Sequence, residues 1–353
     1  MSRNLQEYDK FEQKKVQSVK GSFYVYLPKA LCTRYEIEKS KRIFMKQLED
    51  DSLLLKFNSQ SAYPTKSFEI KLDYDIPKNH GNLKREEYYN YLFNQYLTAY
   101  IIGYNTVIFT KETKIPMIMQ NRIHKMTRKL YGMVVISETT NKIVVEEHFE
   151  EIDIRILNRQ LLSKINLMIN NYQELVEDLD KIENRDELID ELIKQDDQID
   201  EHRYAVERYV HQILRHPSLG QVVNINAVEC LHYSEMTRLI ERIGDHVVKL
   251  AVLLKKQEIV EKDFVIKHLD NMWNFYITIQ DYFERTDSQK LWKLNQEIKT
   301  YASVVKDRIY ENHPDTEYLI PIRRVCNICG DIAEIRINDI LSQKQNQIDK
   351  KKK

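Results

Sequence analysis

The sequence predicts a multidomain chain: a small β-rich unit first, an α/β sandwich in the middle, and an all-α body after it. Three observations lead there. Between Lys14 and Phe57 the apolar residues fall into short strand-like runs, such as Phe23, Val25 and Leu27 on one strand face. From Ser67 to Glu146, strand and helix patterns alternate. From about residue 150 onward, apolar residues recur at helical spacing.

The first unit is assigned to residues 1–60. Lys14–Val19 reads as a strand, Lys20-Gly21 as a turn and Ser22–Leu27 as the returning strand. Pro28 suits the start of a helix, where its missing N–H costs nothing, and that helix runs from Lys29 to about Tyr35. Two further strands, Arg42–Leu48 and Ser52–Phe57, flank an acidic turn at Glu49-Asp50-Asp51. A β-β-α-β-β unit of this size buries too little to stand alone, so it is expected to pair with a second copy.

Residues 61–149 form the middle segment. Ser67–Leu72 alternates as a strand, Arg85–Ile102 has helical spacing, and Gly103 suits its C-cap. Val107–Phe109 is a strand, Pro116–Leu130 a helix, and Gly132–Ser137 with Lys142–Glu146 a hairpin, giving the order β-α-β-α-β-β. The helical body, 150–342, starts near Glu150 with a stripe from Ile154 to Tyr172 and continues through Ile189, Leu192, Ile193 and Ile199. The segment 343–353 ends in four lysines and reads as a disordered basic tail.

Composition narrows the function classes. Charged residues make up 31% and mean hydropathy is −0.56, with no apolar run approaching the ~20 residues of a membrane span. The first residues lack the apolar core of a signal peptide, and four cysteines without a regular framework fit a reducing compartment, so a cytoplasmic protein is expected. Residues 1–58 hold twelve Lys/Arg against eight Asp/Glu, net +4; residues 171–200 hold three against twelve, net −9. A polyanion at one end and cations at the other are the partners this division favours.

The body carries the most informative motif. Asp196 and Asp200 are one turn apart on a helix face, as are Glu241 and Asp245 after a helical hairpin. Like charges so spaced repel unless a cation lies between them; two facing pairs would give an all-oxygen site for a hard metal ion. Two solvated helix faces are the ordinary alternative. His246 is a weaker ligand candidate because neighbours on a helix point about 100° apart. His202, Arg203 and Arg208 are read as pairing partners, Asp200 with Arg203 and Tyr204 with Arg208. Cys326 and Cys329 lack a second pair or nearby His for zinc and read as buried small residues.

Asp-x-x-Ile-Asp, the hairpin, and Leu239-Ile240-Glu241-Arg242-Ile243-Gly244-Asp245-His246 together resemble one repeat of the PhoU family. The resemblance implies paired three-helix bundles, here about 150–257 and 258–342, that hold metal on E/D-x-x-x-D helices and help control phosphate uptake. It assigns Asp196, Asp200, Glu241 and Asp245 to a divalent or trivalent metal ion, with Fe, Zn and Mg all open. Arg324-Val325-Cys326-Asn327-Ile328-Cys329-Gly330-Asp331 looks like a second copy, Gly330-Asp331 matching Gly244-Asp245. There Asn327 replaces Glu241, and Asn295 and Lys299 replace Asp196 and Asp200; an ammonium cannot ligate, so only the first bundle is expected to hold metal.

The string Lys15-Val16-Gln17-x-x-x-Gly21-Ser22-Phe23-x-Val25-x-Leu27-Pro28-Lys29 is similar to the SpoVT/AbrB swapped-hairpin domain. That family interleaves two chains and contacts DNA through basic strands and turns, which implies Lys14, Lys15, Lys20, Ser22, Lys29 and Arg34 as DNA contacts. The sequence departs from it at Tyr35-Glu36 and Ser40-Lys41, where the family often has Gly. The whole arrangement resembles archaeal PhoU-like regulators. The expected function is a homodimeric, DNA-binding transcriptional regulator of phosphate uptake; the alternative is a non-DNA adaptor docking on a phosphate transporter or signalling protein. No catalytic motif is present: Glu229-Cys230-Leu231-His232 has Glu-x-x-His spacing but no partner pair.

Overall fold

The computed structural model describes residues 14–38, 42–47, 52–57, 66–72, 85–148, 153–178, 181 and 183–352. The acidic turn expected at 49–51 and the helix start expected near Glu150 lie outside them. The chain divides into two compact units, Met1–Pro64 and Thr65–Lys353.

The first unit has the expected order: β1 (Gln17–Val19), β2 (Ser22–Tyr24), α1 (Lys29–Arg34), β3 (Phe44–Gln47) and β4 (Leu53–Lys56). Each strand pair is an antiparallel hairpin. Lys20 (φ 50°) and Gly21 (φ 84°) both have positive φ, the backbone a two-residue hairpin loop needs to match strand twist. The strands are shorter than the sequence pattern, so Lys14 and Lys15 precede β1. Among the described residues of this unit none is buried. Phe23, Val25 and Phe44 remain 76%, 59% and 53% exposed, so the hairpins lack a closed core within one chain.

In the second unit, β5 (Ser67–Lys71), α2 (Arg85–Ile102), β6 (Thr106–Thr110), α3 (Met117–Arg128), β7 (Met133–Glu138) and β8 (Lys142–Glu147) follow the expected β-α-β-α-β-β order. The sheet order is β5-β6-β8-β7, with β5 and β6 parallel and the rest antiparallel. Its inner face, Ile70, Val107, Phe109, Ile143 and Val145, shares one core with Leu92, Tyr96 and Tyr100 of α2 and Ile123 of α3.

The body contains α4 (Ile154–Glu177), α5 (Arg185–Lys194), α6 (Asp196–Arg215), α7 (Pro217–Val222), α8 (Ala227–Lys256), α9 (Lys262–Asp281), α10 (Ser288–Tyr310) and α11 (Thr316–Lys352). Caps fix the helix starts: Asp153 accepts from the Arg155 N–H, Asn226 and Glu229 form a capping box, and Asp287 accepts from Lys290. Helices α4, α6 and α8 pack on one another, and α11 packs on α9 and α10. The two groups join through α8–α11 and α4–α9, and one apolar core runs through both.

Two expectations are corrected here. The stripe from Ile189 to Ile199 is not one helix: the chain turns at Gln195, so Asp196 opens α6. The 343–353 segment, expected to be disordered, continues α11 to Lys352; its Gln343 side chain donates to Asp339.

Candidate functional site

Facing turns of α6 and α8 bring the four predicted acids to one patch. Gly244 sets the approach. A Cβ at Gly244 would meet Ile165 Cδ1 at 3.0 Å, Ile199 Cδ1 at 3.1 Å and Asp196 Oδ1 at 3.7 Å. The absent side chain lets α8 seat against the first turn of α6, so the Asp196–Asp200 turn and the Glu241–Asp245 turn feel each other's charge. Burial, then Asp200, Asp245 and Asp197, push the Asp196 carboxyl up to about 6. Burial, against the pull of Arg203 and with Asp245, Asp200 and Asp196 adding to it, pushes Glu241 up to about 7. Asp200 is raised by burial, opposed by Arg203 and by a hydrogen bond from Tyr204. A half-buried patch of repelling carboxylates calls for positive charge.

Arg203 provides it. Its guanidinium lies 3.7 Å from Asp200, 3.3 Å from Glu207 and 3.4 Å across the helix interface from Glu241, over the Tyr204 ring. Arg238 joins the network, its Nε donating to Glu207 at 2.9 Å. Beside it, Lys129, the C-cap of α3, pairs with Asp197. The sequence expectation of an Asp200–Arg203 pair therefore holds, but the reach to Glu241 was not anticipated.

The chemistry of the four acids suits a hard metal ion. Among the described residues, no three His, Cys, Asp or Glu side chains converge closely enough to hold a metal ion. Burial, then Lys249, Arg242 and Arg324, push the nearby His246 down to about 4, so its imidazole is neutral near pH ~7.

The second bundle repeats the construction with different chemistry. A Cβ at Gly330 would meet Asn295 Oδ1 at 3.2 Å and Ile298 Cγ2 at 3.7 Å. Asn295 and Ile298 thus stand to Gly330 as Asp196 and Ile199 stand to Gly244, the register the sequence alignment predicts. Lys299, in the place of Asp200, holds Glu334 at 2.5 Å, and the Asn295 amide also reaches Glu334. Trp292, Gln296 and these three residues line a recess of about 260 Å³.

Other sequence expectations resolve as follows. Tyr204 and Arg208 do not pair. Tyr204 donates to Asp200 at 3.2 Å, whereas Arg208, fully buried, donates through Nε to Glu147 of β8 at 3.2 Å and also reaches the Tyr100 carbonyl. Sequence offered no signal for that pairing, which spans 61 residues and two structural layers. Cys326 and Cys329 are completely buried, and burial pushes the Cys326 thiol up to about 12, so neither is a reactive thiol. In the first unit, Lys14, Lys15, Lys20, Ser22, Lys29 and Arg34 are all exposed.

Residues 159–254 match the family model of the PhoU domain. The match spans α4 through α8 and includes all four acids and Arg203. No curated protein and no solved structure gives a match.

Proposed function

We propose that this protein regulates phosphate homeostasis: its helical body senses a signal or docks a partner, and its amino-terminal unit pairs with a second copy and contacts DNA. The observation that carries the phosphate reading is the PhoU-domain match over 159–254, together with a second bundle built in the same register. The role is regulatory rather than catalytic.

Two features support the amino-terminal part. The exposed Phe23, Val25, Phe44 and Met45 ask for a cover, and strands too small to close a core in one chain are covered by the same strands of another. The exposed lysines just before β1, in the Lys20-Gly21 turn and at the start of α1 suit phosphate contacts along a duplex. Among the described residues no helix is long and apolar enough to cross a membrane, so a membrane transporter would be met as a docking partner.

The test is genetic. Deleting the gene should make phosphate uptake and transporter expression insensitive to external phosphate. Normal repression at high phosphate in the deletion strain would remove the phosphate assignment.

A further inference from the structure

We infer that Arg203 supplies, from within the chain, the positive charge that the PhoU resemblance assigns to a metal ion. The inference rests on reading the α6 and α8 acids as a PhoU-type cation position. It concerns how that position is filled here.

The geometry is specific. Arg203 sits one turn after Asp200 and one turn before Glu207, and it crosses to Glu241 on the facing helix. One guanidinium therefore bridges both acid-bearing helices, which is the task of a metal ion in such a site. The second bundle solves the same problem independently. Lys299 occupies the turn of Asp200 and holds Glu334 of α11. Both bundles thus carry a covalently attached cation between their second and third helices.

Arg203 is held by charge more than by directed hydrogen bonds. Its three acid contacts are 3.3–3.7 Å, longer than the roughly 2.8 Å of a tight charge-assisted bond, and its buried Nε makes no hydrogen bond. Removing it would leave Asp200 and Glu241 without their cation in a half-buried patch, Glu207 keeping Arg238, and a divalent cation is then the simplest replacement.

The experiment compares the full chain with Arg203→Met and Arg203→Lys, using Mn²⁺ as the probe. Melting is followed with EDTA or Mn²⁺, and binding by calorimetry. The wild type should melt at the same temperature in both and bind Mn²⁺ weakly. Arg203→Met should melt lower in EDTA, recover with Mn²⁺, and bind it roughly tenfold or more tighter. Arg203→Lys keeps the charge and should follow the wild type. Circular dichroism of Arg203→Met establishes that it is folded at the start; if it is not, the Arg203→Lys and wild-type arms carry the test. Tight Mn²⁺ binding by the wild type, with destabilisation by EDTA, would overturn the inference. So would a folded Arg203→Met that is as stable as wild type and indifferent to Mn²⁺. Neither result bears on the phosphate phenotype, which is read separately in cells.

Discussion

Gly244 of α8 lies against Ile199 of α6, so closely that a Cβ would approach the Ile199 Cδ1 to 3.1 Å. Ile165 closes the other side at 3.0 Å, and both isoleucines are buried. Gly244→Ala should gain about 1 kcal/mol of helix propensity yet lose about 2 kcal/mol to overpacking, a net destabilisation of about 1 kcal/mol. Urea unfolding monitored by circular dichroism reads this directly; a stabilised variant would mean that α6 and α8 sit further apart.

Arg208 links the sheet to the helical body through Glu147. Arg208→Ala leaves a carboxylate without its buried partner and should cost about 3 kcal/mol or more. Adding Glu147→Gln should recover part of that loss, because the stranded charge is then gone. Additive losses in the double variant would show that the pair is not coupled.

The acid patch fixes the sign of a pH effect. Asp196 rises from 3.8 to about 6 and Glu241 from 4.5 to about 7 on folding. The folded state therefore holds more protons than the unfolded state across that window. Stability from these groups falls as pH rises through it, and the penalty is complete above the folded values. In EDTA, Asp196→Asn should be more stable than wild type by on the order of 1 kcal/mol at pH ~8, after allowing for solvent screening. The difference should vanish near pH ~4, where the carboxyl is protonated in the folded state and the penalty is gone. Melting curves of both proteins across that range test the sign.

On the proposed function, pairing and DNA contact fall on different residues of the amino-terminal unit. Phe23→Glu puts charge on an exposed apolar strand and should convert a dimer to a monomer in light scattering. Lys15→Glu with Lys20→Glu should leave the dimer intact and abolish DNA retention. Loss of the dimer in the lysine variant would mean those roles are assigned to the wrong faces.

Local chemistry made most of the fold legible. Lys20-Gly21 could be read as a hairpin turn because both positions need positive φ, and Gly103 as a C-cap for the same reason. The acid pairs were legible as a patch because residues four apart share a helix face. What escaped were the choices made across space. Arg203 serves Asp200 locally, but only the α6–α8 packing brings it to Glu241. Arg208 reaches Glu147 of β8 across the structure while α2 packs on α6, which no local pattern encodes. The break at Gln195 was hidden because the apolar stripe passes through it in phase, and the lysine-rich end gave no apolar signal for the helix that continues to Lys352.

The most direct test of the regulatory account is capture of sheared DNA from the source organism by the purified chain, near physiological salt, with sequencing of what is retained. The account predicts a few enriched sites sharing a motif, beside genes for phosphate transport. Even, weak and salt-sensitive recovery across the whole genome would contradict it and move the search to protein partners.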